Sequence, residues 1–264
     1  MQIDKNNIPP KDTEQATRVL NHLRQGQFVI GNPGLGLRKT LKTLEAKFDE
    51  SNTAELDWHI DNAQLIAQIA ATRAGITGEE NLCEYLAKLI KYDKNLRGIV
   101  AFASLSYEQD NNNLDYIPDT DTLLVLGKNL LVIDAKNLKT KAGKPLMLDN
   151  GFVLDEKGKP LIHVNSSTNI WKKIMSAANI EIDNISEFVC IVNNTDTPII
   201  ETEDEEMKLI HIAQLHQKLV EWATQHKTET IYLNILTEIS KAQIYEDKSD
   251  CDLDIANIRK QFGV

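Results

Sequence analysis

The sequence is poor in cysteine: Cys83, Cys190 and Cys251 lie far apart, with no CxxC or similar pairing. That offers no zinc framework and suits a reducing compartment. No uninterrupted apolar run approaches the ~20 residues that span a bilayer. The opening stretch from Met1 to Lys11 is polar and carries a Pro9-Pro10 pair. The expectation is a soluble cytoplasmic protein without a membrane partner. Positive charge is also in deficit, with 29 Lys and Arg against 39 Asp and Glu and a formal net charge of −10. This balance argues against a protein that coats nucleic acid by charge alone. It leaves room for a metal-dependent enzyme, in which carboxylates gather at the metal and basic side chains line the phosphate path.

What is present is ordinary globular material. The chain has 264 residues, 42% of them hydrophobic and 26% charged, so disorder and fibrous architectures do not fit. At ~150 residues per domain the length allows two domains or one with additions. Residues 1–74 read as a helical N-terminal extension, with amphipathic stretches at Asp12–Leu23, Leu37–Phe48 and Asn52–Arg73. A helix from Thr77 to about Ile90 opens a core over 75–200. Candidate strands follow at Gly98–Ser106, Asp121–Leu126, Asn129–Ala135, Pro145–Leu148, Phe152–Asp155 and Pro160–Val164, then a helix at Asn165–Ala178 and a strand at Glu187–Val192. Residues 201–264 read as mainly helical: an acidic loop at Glu201–Glu206, a helix at Ala213–His226, a stretch from Thr228 that suits helix or strand, and a last helix at Leu253–Phe262. The order implies an α/β or α+β core.

Gly31-Asn-Pro-Gly-Leu-Gly36 before Lys39-Thr40 invites comparison with a phosphate-binding loop. There Lys and Ser or Thr follow the last glycine at once, whereas here Leu37 and Arg38 intervene. The stretch reads as a turn between two helices.

The informative segment runs from Asp121 to Lys136. Two apolar strands flank Gly127-Lys128, which suits a two-residue type II′ turn. If Leu126 pairs with Asn129, Asp121 falls opposite Asp134, and Lys136 shares a face with Asp134. Like charges so close destabilise a sheet unless a cation lies between them. A hard divalent ion such as Mg²⁺ would supply it, and the lysine could hold a water for attack on a phosphate. The alternative is a strand pair ending in solvated charges, with Lys136 pairing one aspartate. Thr77 and Glu80 fit a capping box at a helix start. Glu79 falls in the apolar stripe of Leu82, Leu86 and Leu89, an inward-facing acid near a helix N-terminus, or else a boundary glutamate reaching solvent.

Gly78-Glu79 on a helix, the strand from Asp121, the hairpin, and Leu-Val-Ile-Asp134-Ala-Lys136-Asn137 together resemble the nuclease-related domain, NERD, of the PD-(D/E)xK restriction-endonuclease-like superfamily. The resemblance covers about Gly75 to Val192. It implies a mixed β-sheet core flanked by helices and a Mg²⁺- or Mn²⁺-dependent endonuclease-type site acting on DNA. Asp121 and Asp134 would bind metal, Lys136 would be the catalytic lysine and Glu79 the helix acid, catalytic and metal-binding together. The second acid is more often glutamate in this family, and its Asn-Pro-x-x-Gln-like signature stands here as Asn165-Ser-Ser-Thr-Asn169. The flanking regions have no counterpart in the family. Between Lys136 and Lys173 the local charge is +5. Lys139, Lys141, Lys144, Lys172, Lys173 and Asn169 are the candidate nucleic-acid contacts, with His163 or Trp171 available to stack on a base, although Trp171 fits the core better. The other reading is a catalytically inactive DNA-binding or protein-interaction subunit. A homodimer, or a larger defence or DNA-processing complex, is the assembly in view.

Overall fold

The computed structural model describes residues 2–53, 60–106, 119–140, 142–193, 197–202, 207–228 and 230–243. The chain is a mixed α/β protein. Its order is β1 (Gln2–Asp4), α1 (Thr13–Arg24), β2 (Val29–Ile30), α2 (Leu35–Thr53), α3 (Ile60–Tyr92), β3 (Val100–Ser106), β4 (Asp119–Leu126) and β5 (Asn129–Lys136). There follow β6 (Pro145–Asp149), β7 (Phe152–Leu154), β8 (Pro160–His163), α4 (Thr168–Ala177), β9 (Asn184–Ile191), β10 (Ile199–Thr202), β11 (Met207–His211), α5 (Ile212–Gln225), β12 (Thr230–Tyr232) and α6 (Leu233–Ser240). The expected acidic loop begins inside β10, and its residues 203–206 lie outside the described residues, as do Lys141 and the expected helix at 253–262.

A six-stranded sheet in the order β11-β9-β5-β4-β3-β2 forms the centre. The pairs β3–β4 and β4–β5 are antiparallel, while β2–β3, β5–β9 and β9–β11 are parallel. Both faces are covered, which is why β3 and β5 read as nearly continuous apolar runs. On one face Leu82, Cys83, Leu86 and Ile90 of α3 and Leu215, Leu219 and Trp222 of α5 pack on Leu131, Ile133 and Ala135. On the other, α1, α4 and α6 pack on Leu123, Val125, Leu130 and Val132. A smaller sheet, β10-β6-β7-β8, lays Leu146, Leu148 and Val153 over Val189 and Ile191. Among the described residues no helix is long and apolar enough to cross a membrane.

The helix expected to start at Thr77 does not start there. α3 runs unbroken from Ile60 across residue 74, and the Thr77 hydroxyl donates to the carbonyl of Arg73 one turn back at 3.1 Å rather than capping. Glu80 closes no capping box; it pairs with Arg38 of α2. Gly75 and Gly78 serve close approach inside the helix. A Cβ on Gly78 would stand 3.1 Å from the Cβ of Asn137, and one on Gly75 would stand 2.7 Å from a methyl of Leu37. α3 thus pairs with α2 through its first half and with the central sheet through its second. Beyond the expected core limits, β2 and β11 also join that sheet.

Candidate functional site

The β4–β5 hairpin sets the register. Gly127 takes a φ of +62° while Lys128 stays out of the positive-φ region, as a type II′ turn requires. Leu126 faces Asn129, and the ladder continues to Thr122 opposite Ile133. Asp121 and Asp134 are the next residues along the two strands. Asp134 points to the sheet face that carries Val132, because side chains alternate; alternation does not carry across Asp121, since Thr122 meets Cys83 of α3 while Thr120 meets Trp171 of α4.

At that strand end the Asp121 carboxylate accepts a hydrogen bond from the Ala135 N–H at 2.7 Å. Burial, then the charges of Asp134 and Glu79, hold its pKa well above the usual carboxylate range, with Lys136 opposing. The Lys136 ammonium is ion-paired with Asp134, and both side chains keep a sliver of solvent contact, 20% and 17%. Burial works against the charge on Lys136, but the carboxylates of Asp134, Asp121 and Glu79 outweigh it and raise its pKa. Lys136 is therefore a hydrogen-bond donor at neutral pH, not a base.

Glu79 is buried, 5% exposed, as its place in the apolar stripe implies. It lies in the middle of α3, so the helix N-terminus that favours its charge is not its own. The Gly34 N–H, just ahead of α2, donates to its carboxylate at 2.9 Å. The next N–H, of Leu35, donates to the Ser104 hydroxyl at 3.2 Å. The glycine-rich stretch from Gly31 thus binds no phosphate in the manner of a P-loop; its first free N–H groups are spent on Glu79 and on a serine of β3. Gly31 itself passes so close to β3 that a Cβ there would stand 2.5 Å from the Ala103 carbonyl oxygen.

One participant escaped the sequence reading. Glu187 faces Val132 across the β5–β9 ladder, two residues before Asp134 on the same face, and is 2% exposed. Its carboxylate accepts from the Ser166 hydroxyl at 2.5 Å and from the Ser167 N–H at 3.4 Å. It thereby fastens the loop that leads into α4. The sequence signal was one charged residue at the head of an otherwise apolar strand, which marks a strand end equally well. Burial raises the Glu187 pKa, its two donors lower it, and the charges of Asp134 and Lys136 act in opposite directions. A carboxyl whose pKa is raised on folding contributes stability below the ordinary carboxylate range, and that contribution is lost as pH rises through the raised native value. Glu187→Gln keeps an acceptor for Ser167 and removes the charge. It is expected to raise stability at pH 7–8 by about 1 kcal/mol, or about 2–4 °C in Tm. The gain should vanish at pH 4; melting curves at both pH values check it.

The remaining candidates divide. Lys139 and Lys144, in the β5–β6 connection, and Asn169, Lys172 and Lys173, on the first turns of α4, are all exposed. Trp171 is a core residue: it is 2% exposed, and its indole N–H donates to the Thr120 hydroxyl at 3.0 Å, tying α4 to β4 beside Asp121. It is not free to stack on a base. His163 is exposed but already stacks on Phe152, with ring centroids 4.6 Å apart. Asn137 donates to the Ala74 carbonyl at 2.8 Å and holds α3 to the end of β5.

The donors at this strand end are carboxylate oxygens, the chemistry that hard divalent cations select. Among the described residues no three His, Cys, Asp or Glu side chains converge into a ready metal cage. Mg²⁺ commonly takes one or two protein carboxylates and keeps several waters, so the Asp121–Asp134 pair fits it with Glu79 held back by Gly34. Comparison with family models, curated proteins and solved structures finds no match to this chain.

Proposed function

We propose that the protein is a Mg²⁺- or Mn²⁺-dependent nuclease that hydrolyses DNA phosphodiester bonds, with a restriction-endonuclease-like core akin to the nuclease-related domain. The observation that carries this reading is the crowding of Asp121 and Asp134 at one strand end, with Lys136 ion-paired to Asp134. Nothing in folding calls for two neighbouring, largely enclosed carboxylates, and their mutual repulsion is a cost that a cation would relieve. The order of α3, the antiparallel β3–β4–β5, α4 and the parallel β9 supports the fold assignment.

In this reading Asp121 and Asp134 hold the cation, and Glu79 is the third acid. A bound divalent ion supplies Lewis-acid neutralisation of the phosphate and lowers the pKa of water. Lys136, protonated, orients the attacking water and offsets charge as the pentavalent centre forms. Lys139, Lys144, Lys172, Lys173 and Asn169 are exposed and suit contact with the phosphate backbone. A second reading is an inactive DNA-binding or protein-interaction subunit, favoured by one observation: Glu79 is already occupied by the Gly34 N–H. Titration of Mg²⁺ and Mn²⁺ with linear, circular and single-stranded DNA separates the two. The nuclease cuts at least one of these substrates and melts at higher temperature with metal; absence of both effects leaves the binding subunit.

A further inference from the structure

The hairpin end of the central sheet, remote from the carboxylates, holds a cavity of about 460 Å³. Leu126 lies on its wall, five residues from Asp121 along β4, which at ~3.4 Å per residue separates the two places by roughly 17 Å. The charged side chains that line it are Lys94, Arg97 and Lys227, and no acid lines it among the described residues. In a chain of net charge −10 this is an unusual concentration of one sign. Among the described residues none of the three cations is held in an ion pair. The neighbouring acid, Asp93, is spent elsewhere: its carboxylate bonds His216 at 2.6 Å and accepts from the Asn95 N–H at 2.8 Å.

The walls are fixed before any ligand arrives. The Asp93–His216 contact ties the turn carrying Lys94 and Arg97 to α5, from whose end Lys227 follows. On the other side Gly127 approaches Thr228 so closely that a Cβ would stand 2.6 Å from its methyl group. Like charges collected around a fixed cavity repel one another, and an anion there relieves that repulsion.

We propose that this cavity binds a nucleoside diphosphate. Its volume lies within the ~300–1,000 Å³ of small-molecule sites, more room than an inorganic phosphate needs. Three cations suit the charge of two linked phosphoryl groups. Asn95 and Thr224 add polar groups at the wall, and Leu126 and Ala223 supply an apolar strip for a base or sugar. The same phosphate chemistry could come from a nucleic-acid backbone, so the experiment has an arm for each source.

ADP, adenosine and a short DNA duplex are each titrated into the full-length protein without divalent metal, followed by melting temperature and calorimetry. ADP is expected to raise Tm and to bind more weakly as salt increases, and adenosine to do neither. Arg97→Ala and Lys227→Ala should each weaken ADP binding by about tenfold or more. Both side chains are exposed, and removing either cation from the cluster is expected to leave the ligand-free Tm unchanged or higher, so loss of binding is not loss of fold. No response to ADP, or ADP binding that both variants retain, overturns the proposal. So does a dependence on Arg97 and Lys227 seen with the duplex alone, which would make the cavity a backbone contact. None of these results depends on whether the protein cleaves DNA.

Discussion

Lys136→Ala is expected to reduce metal-dependent DNA cleavage by about a hundredfold to a thousandfold, the scale on which a positioned donor to a developing charge acts. Lys136 stands beside the carboxylates of Asp134, Asp121 and Glu79, which set its protonation. Removing it strips the water-orienting donor and takes a positive charge away from those acids. The metal-free variant should therefore lose about 1–3 kcal/mol of stability, the pair being partly solvated. Added Mg²⁺ restores a larger share of melting temperature than it adds to wild type, because the cation replaces the missing ammonium. Lys136→Arg keeps the charge but presents a planar fork, so it should recover the metal-free Tm without recovering cleavage. A plasmid nicking assay with melting curves at 0 and 10 mM Mg²⁺ reads all of this; cleavage that survives in pure Lys136→Ala protein removes the lysine from the mechanism.

The parts of this arrangement that local chemistry controls were legible in the sequence. A glycine at the first turn position fixed the Leu126–Asn129 register, and the period of two then carried Asp121 and Asp134 to adjacent places with Lys136 on the same face. The apolar stripe through Leu82, Leu86 and Leu89 likewise sent Glu79 inward. What long-range packing controls was not legible. Thr77 and Glu80 resemble a helix start, and only the arrival of Leu37 and Asn137 from distant segments makes Gly75 and Gly78 mid-helix contact points. The Gly31–Gly36 stretch carries a turn signal, but nothing local says that its N–H groups will meet Glu79 and Ser104. Glu187 shows the same limit: one acid heading an apolar strand becomes meaningful once the α4 loop brings Ser166 and Ser167 to it. β2 and β11 are short and gain their identity from the strands beside them.

Asp121→Asn should move stability and activity in opposite directions. The Asp121 carboxyl is disfavoured in its charged form by burial and by two neighbouring acids, so each proton it loses at neutral pH weakens the fold. Asparagine keeps an oxygen to accept from the Ala135 N–H, whose bond at 2.7 Å anchors the strand end, and carries no charge. The metal-free variant is expected to gain about 1–2 kcal/mol, or about 3–6 °C in Tm at this chain length. The gain shrinks as pH falls and the wild-type carboxyl becomes protonated, because a raised pKa costs stability only above the ordinary carboxylate range. In the same protein the Mg²⁺-induced rise in Tm should disappear, since one of the two carboxylates that would hold the ion is gone, and cleavage should fall below detection. A residue present for structure alone would lose stability when replaced, or would leave the metal response intact. The combination of a more stable fold, a lost metal response and lost cleavage is the signature of a carboxylate kept for chemistry at the expense of stability. Asp121→Ala provides the control, since it removes the acceptor as well as the charge: it forfeits the bond to Ala135 and should show a smaller gain or a net loss, with the same absent metal response.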